Sequence, residues 1–419
     1  MTTARGGVAI GIDVGSSGVR AALVDAAREP VAWGAAPLDA MQRRRPEAWW
    51  RGVAAALDAL RAAADLSGVR ALAVDGTSGT VLAVGVTGLS LGDASLYNDV
   101  AEPAAVAAVA AVASADSAAR GGTSPLARLL GLRGAPGLHT ILHQADWVMG
   151  RLCGRFDVSD ANNALKTGYD PRIGAWPEWL RDLGIAEGLL PRVVTPGTPV
   201  GRITPAMAAR FGLPGNLSVV AGTTDGCAAF LATGAAQVGD AVTSLGTTLT
   251  LKLLCSQPVF APEFGVYSHL VGGAWLAGGA SNSGGAALLR HFDAPTLERL
   301  SAKLDPMQDS GLDYYPLPSP GERFPIADPE LTPRETPRPG DDLLFLHGLL
   351  EGVAKVEASG YRRLAELGAP PLSNIRSVGG GATNPAWTVL RQRILAVPML
   401  PARSEHAAVG TAGLALGSA

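Results

Sequence analysis

The sequence predicts an α/β protein of two domains, and three observations lead there. The chain has 419 residues, more than one core usually serves. A pattern of strand, small-residue turn and strand occurs twice, about 230 residues apart. Between the copies, amphipathic helical stretches alternate with short buried strands. Composition agrees: 47% of residues are hydrophobic and 17% charged, so two cores can be filled. The 53 glycines and 30 prolines supply more turns than a helical bundle would use.

The elements follow in order. In "GVAIGIDVGSSGVRAALVD", Val8, Ile10 and Ile12 alternate up to the turn Gly15–Gly18, and apolar residues resume to Val24. "PEAWWRGVAAALDALRAAA" reads as an amphipathic helix, with Trp49 and Trp50 packing beneath the first domain. "VRALAVDGTSGTVLAV" reads as a buried strand with a Gly-Thr-Ser turn, and residues 103–119 as helix. "LHTILHQADWVMGRLCG" reads as one helix stopped by Gly154. "ITPAMAARFGLPGNLSVVAGTTD" is a short helix and then a strand that delivers Asp225 at its C-terminal end, where open α/β sheets bind ligands.

The second half begins again with "VTSLGTTLTLKLL". Laid on the first copy, Gly246 meets Gly15, Thr247 meets Ser16 and Thr248 meets Ser17, while Ser244 stands where the first copy has Asp13. Eight prolines in 316–341 read as an extended surface excursion, with a lid as the alternative. A long amphipathic helix follows, then strand, triglycine turn and helix in "IRSVGGGATNPAWTVLRQRIL". "SEHAAVGTAGLALGSA" reads as a small-residue helix.

Charge and motif content exclude several functions. The net charge is −3, with no basic stripe or acidic tail, which argues against nucleic acid and anionic membrane as partners. The three cysteines, Cys153, Cys227 and Cys255, form no CxxC, and the N-terminal stretch has no signal arrangement; a cytoplasmic protein is expected. There is no GxxxxGK[ST] and no GxSxG, so P-loop and acyl-transfer chemistry have no footing. His139 and His143, spaced i, i+4, lack a third ligand and read as satisfied helix histidines.

What remains points to phosphate. Gly15-Ser16-Ser17-Gly18, Gly246-Thr247-Thr248 and Gly379-Gly380-Gly381 are small-residue turns at strand ends. Such turns expose successive N–H groups to anions, and Ser or Thr hydroxyls add donors. Asp225 is the only charged residue between Arg210 and Asp240, and an isolated carboxylate in apolar company costs desolvation unless it is paired or used. Asp13 and Asp225 are thus two acids at strand ends near phosphate-type turns, as phosphoryl transfer requires. Each also has a local role open to it, Asp13 as a turn residue and Asp225 as a helix N-cap.

Taken together these stretches resemble the FGGY carbohydrate kinases, whose fold is two ribonuclease-H-like (actin-like ATPase) domains flanking a central cleft. "IGIDVGSSGVRAALVD" resembles the first phosphate motif, "SLGTTLTL" the second and "SVGGGATNPAWTVLRQRILAVPML" the adenosine motif. The stretch ending at Asp225 is similar to that ending at the family's catalytic Asp, and "EHAAVGTAGLAL" to its closing helix. "VSDANNALKTGYDPRIGAWPEWL", "SLYNDV" and "GLDYYPLPSPGERFPI" look like the D-ribulose kinases, also labelled xylulokinase-like, of cyanobacteria and plants. Where xylulose and glycerol kinases carry an aromatic-x-Asp-x-Arg sugar motif, this chain reads Tyr97-Asn98-Asp99-Val100-Ala101, without the Arg.

The resemblance implies an N-terminal domain over 1–228, a C-terminal ATP-binding domain over 229–401, and a helix at 402–419 packed back on the first. It implies ATP-dependent phosphorylation of the terminal hydroxyl of a ketopentose, D-ribulose first, with D-xylulose or a polyol as alternatives, in a monomer or homodimer. Asp225 would be the general base, and Asp13 and Asp225 would serve Mg2+. Ser16, Ser17, Thr247 and Thr248 would contact phosphates with Gly15 and Gly246. Gly379, Gly380, Gly381 and Asn384 would flank adenosine, and Ser78 and Asp99, with Asp13 and Asp225, would meet the sugar. A rival of the same fold is an ATP-binding switch like actin or the Hsp70 ATPase.

Overall fold

The computed structural model describes residues 8–186 and 188–417. The chain divides into two compact units. One holds residues up to Ala232, together with His269–Gly273 and the segment from His406; the other holds Thr233–Ser268 and Ala274–Glu405. Among the described residues, no helix is long and apolar enough to cross a membrane.

The first unit is built on β1 (Ala9–Val14), β2 (Gly18–Val24), β3 (Pro30–Pro37), β4 (Ala71–Gly76), β5 (Pro199–Arg202) and β6 (Ser218–Thr224), in the order β3-β2-β1-β4-β6-β5. β1 and β4 are buried along their whole length, as strands covered on both faces must be. One face is covered by α1 (Pro46–Ala63), which buries Trp49, Val53, Leu57 and Leu60 at helical spacing. The opposite face takes the C-terminal helix Ala407–Ala415. Its approach is close because both surfaces are small: a Cβ on Gly11 of β1 would stand 2.0 Å from the carbonyl oxygen of Ala408. The same helix meets α3 (Asp225–Ala232) through Gly410, where a Cβ would stand 1.9 Å from the Ala228 oxygen. Small residues at this crossing therefore fix where Asp225 begins its helix.

The second unit repeats the plan with β7 (Asp240–Leu245), β8 (Leu249–Cys255), β9 (Ala274–Ser281), β10 (Asn374–Val378) and β11 (Met399–Leu400). In both sheets a strand pairs antiparallel with its successor and parallel with a later strand, β1 with β4 and β7 with β10. The duplicated hairpin is thus duplicated topology. The register agrees residue for residue: Asp13 faces Arg20 one step before the end of its ladder, and Ser244 faces Thr250 one step before the end of its own. Helices α4 (Asp342–Glu366) and α5 (Pro385–Leu395) pack on this sheet's core around Phe345, Leu349, Val353 and Leu390.

Three expectations need correction. Residues 138–154 are not one helix. Thr140–His143 is a strand paired with Val81–Val84, and the helix starts only at α2 (Gln144–Cys153), where the His143 and Asp146 side chains form a capping box. His139 and His143 therefore do not share a helix face; His139 is exposed and His143 buried. The alanine-rich helix stops at Val112, since the Ser and Asp residues after it favour turns over helix interior. The proline-rich stretch is not a mere surface excursion. Leu317 and Phe324 are fully buried, Phe324 filling the space that Gly279 and Gly360 leave by lacking a Cβ.

Candidate active site

Parallel strands whose C-termini end level with one another bring their following loops together. In the first unit Asp13 is registered with Asp75, and Thr224 with Gly76. The end of β1 and the segments that leave β4 and β6 therefore carry Asp13, Ser78 and Asp225 along one sheet edge. Asp225 is the first residue of α3, half-buried, and its Oδ1 accepts from the Gly226 amide at 2.7 Å. The start of that helix is further tied by Thr224, whose Oγ1 accepts from the Cys227 amide at 3.4 Å.

Asp75 escaped the reading of the sequence. Its carboxyl is fully buried beside Asp13; Oδ2 accepts a hydrogen bond from the Thr411 hydroxyl of the C-terminal helix, and Oδ1 has no partner within bonding geometry. Burial, and next the charge of Asp13, push the Asp75 carboxyl well above the usual carboxylate range. Asp13 is raised as well, by burial first and by Asp225 second. The neighbouring Asp75 carboxyl and the cation of Arg20, 3.7 Å away, act in the opposite direction. The only sign of this in the sequence was an Asp at the end of a strand parallel to the one bearing Asp13.

The first small-residue turn is open. Ser16 and Ser17 are exposed, and among the described residues their backbone amides donate to nothing, while Gly15 closes the turn onto the Gly18 oxygen at 3.0 Å. Unpaired amides beside hydroxyls are groups that can receive an anion. The turn after β4 is held more firmly. Gln144 Oε1 accepts from the Thr77 amide and hydroxyl at 2.9 and 2.8 Å, and Arg128 Nη2 donates to the Gly79 oxygen at 2.6 Å. Ser78, half-buried at the tip, keeps its hydroxyl outside that network. Asp99 is committed elsewhere: Arg44 holds both of its oxygens at 2.6 Å, and the Leu96 amide donates to Oδ2 at 2.8 Å. The guanidinium beside Asp99 keeps its carboxyl below the usual range. Arg44 thereby supplies in space a counter-ion that the local sequence lacks at Ala101, itself a buried core position.

The second unit contributes a cavity of about 920 Å³ lined by Gly246, Thr247, Gly380, Gly381 and Asn384, with Trp387, Leu289 and Glu298 among its other walls. Thr248 and Gly379 stand outside that lining. The Gly246 and Thr247 carbonyls accept from the Gly285 and Ala286 amides at 2.9 and 3.0 Å. The amides of Gly246, Thr247 and Thr248 donate to nothing among the described residues, which makes this a second open nest. Asn384 uses both ends of its amide internally: Oδ1 caps α5 at Trp387 and Nδ2 donates to Ser301 Oγ at 2.9 Å. It is a wall of the cavity rather than a free reader. Trp387, Ser301 and Glu298 join the site only through folding, since no local motif marks them.

Residues 241–419 match the family described as FGGY family of carbohydrate kinases, C-terminal domain. The C-terminal part of the chain is thus similar to the FGGY carbohydrate kinases. A xylulose kinase from Streptomyces rubiginosus is 28% identical over 461 residues, covering 100% of this chain and 89% of that protein. A second, from Streptomyces coelicolor, is 26% identical over 460 residues with the same coverage. The crystal structure of a xylulose kinase from Brucella ovis superposes with a TM-score of 0.86 at 24% identity, covering 98% of this chain and 90% of that one, and shows the shared two-domain actin-like fold.

Proposed function

We propose that this kinase transfers the γ-phosphoryl group of ATP to the terminal hydroxyl of a ketopentose, with D-ribulose as the acceptor to test first. The observation that carries the reading is Asp225: a half-buried carboxylate at the junction of β6 and α3, on the sheet edge that also bears Asp13 and Ser78. Asp225 takes the proton of the attacking hydroxyl and fixes its direction. A loose phosphoryl-transfer transition state needs little early proton abstraction, so positioning contributes more than basicity. Ser78 and Asp13 meet the sugar, and Asp99 acts on it through Arg44.

The cavity of the second unit takes the nucleotide. Its volume, apolar walls and nest of free amides suit a nucleoside carrying a polyphosphate. Gly380, Gly381 and Asn384 flank the adenosine, and Thr247 reaches the phosphates. Asp13 and Asp225 fit Mg2+ by their donor chemistry, since hard cations take carboxylate oxygen. Among the described residues, no group of three or more His, Cys, Asp or Glu residues could hold an ion alone, so water and phosphate oxygens would complete its shell. When bound, the ion neutralises charge on the transferring phosphoryl group.

A second reading, D-xylulose as the acceptor, draws on the names of the curated relatives. Coupled ADP-release assays across D-ribulose, D-xylulose, L-ribulose and polyols separate the two by kcat/KM. A slow ATPase that no sugar stimulates would instead favour the conformational-switch reading.

A further inference from the structure

Behind the nucleotide cavity lies a charged network that the reaction does not use. Glu357 on α4 and Arg391 on α5 form an ion pair in which both side chains are fully buried. Arg391 Nε and Nη2 donate to the two Glu357 oxygens at 2.6 and 2.7 Å. The remaining bonds run to two adjacent strands. Arg391 Nη1 donates to Ser377 Oγ on β10 at 2.7 Å, and Thr243 Oγ1 on β7 donates to Glu357 Oε1 at 2.6 Å. The Tyr361 hydroxyl closes the group 2.8 Å from Thr243 Oγ1.

Thr243 and Ser377 are direct register partners across the parallel pair β7 and β10. β7 runs on into Gly246-Thr247, and β10 into Gly379-Gly380-Gly381, the two turns brought to the cavity. Arg391 also sits one helical turn beyond Trp387, a cavity wall whose Nε1 donates to the Leu350 oxygen of α4 at 3.1 Å. One network therefore touches both strands that bear nucleotide turns and both helices behind them.

Stability alone gives little reason for charges here. Desolvation of a buried ion pair cancels much of its Coulomb attraction, and apolar side chains of similar volume often serve as well or better. Apolar contacts are non-directional, however, whereas a guanidinium presents donors in a rigid fork. We propose that Glu357 and Arg391 are positioning residues for the nucleotide: through Thr243 and Ser377 they set the two nucleotide turns against each other, and through α5 they set the Trp387 wall. The inference rests on reading the cavity as the nucleotide site.

The test leaves the ion pair intact and removes its ties to the strands, with Thr243→Val and Ser377→Ala made singly and together. Three readouts are needed: affinity for a fluorescent ATP analogue, KM for ATP against kcat, and the thermal midpoint. In the double variant, analogue affinity falls and KM for ATP rises by about five- to tenfold, the size expected for losing one or two buried hydrogen bonds. kcat at saturating ATP and KM for the sugar stay near the unaltered values, and Ser377→Thr retains the ATP affinity that Ser377→Ala loses. A lowered thermal midpoint with unchanged analogue affinity and KM overturns the positioning role and leaves a structural one. If the unaltered chain does not bind the analogue, the reading of the cavity falls, and this proposal with it.

Discussion

The two hairpins at the heart of the two sheets share topology, register and an open turn, yet they are chemically opposite. In the first, the position one step before the ladder's end is Asp13, and its parallel neighbour is Asp75. In the second, the same position is Ser244, and its parallel neighbour is Val378. Both turns leave amides free for anions. Only the first surrounds that nest with carboxylates, and burial raises both Asp13 and Asp75 there. On the proposed reading, the first copy of the hairpin acts on the phosphoryl group and the second holds the nucleotide. A like charge placed beside a phosphate is costly unless a cation or proton offsets it.

The largest break in this contrast is Asp225→Ala. Sugar phosphorylation falls by roughly 10²–10⁴, the usual worth of a positioned general base, while ATP-analogue binding persists. Near-normal turnover in that variant would remove Asp225 from the chemistry. Next comes Asp13→Ser, which gives the first hairpin the residue of the second. Its Mg2+ titration should move to higher concentration, and an unchanged Mg2+ curve would end the metal role.

The reverse exchange, Ser244→Asp, places an acid at the nucleotide nest. KM for ATP should rise by about tenfold at low salt and less at high salt, because added ions screen the repulsion. A salt-independent rise would point to distortion rather than charge. The smallest effect concerns Asp75. A carboxyl raised in the folded state binds its proton more tightly there than in the unfolded chain. Its contribution therefore favours folding at acid pH and is lost as pH rises through the folded value. Asp75→Asn, which keeps an acceptor for Thr411, should raise the thermal midpoint at pH 7 to 8 by a few degrees and leave it nearly unchanged near pH 4. A gain of equal size at both pH values would place the effect in packing.

Much of the fold was legible because its signals are local. Alternation at Val8, Ile10 and Ile12, the repeat at Gly246, and the strand that ends at Asp225 each depend on a few adjacent residues. The isolation of Asp225 among apolar neighbours was enough to single it out. The misreadings arose where local preference met a distant partner. Thr140–His143 became a strand because Val81–Val84 lies beside it, and the proline-rich stretch was drawn in because two glycines leave room for Phe324. Asp99 took Arg44, 55 residues earlier, as its partner, and no spacing rule predicts that pair.

The sequence by itself determined the duplicated hairpins, the small-residue turns and the two acids first assigned to the reaction, all consequences of periodicity and side-chain chemistry along the chain. Tertiary structure alone decided that Asp75 lies buried against Asp13, that Thr411 reaches it from the far end of the chain, and that Trp387 and Glu298 wall a cavity with Gly246. The reason is physical. The character of a carboxyl depends on how much water it has lost and on which charge stands beside it, and both are set by neighbouring strands that sequence order does not reveal.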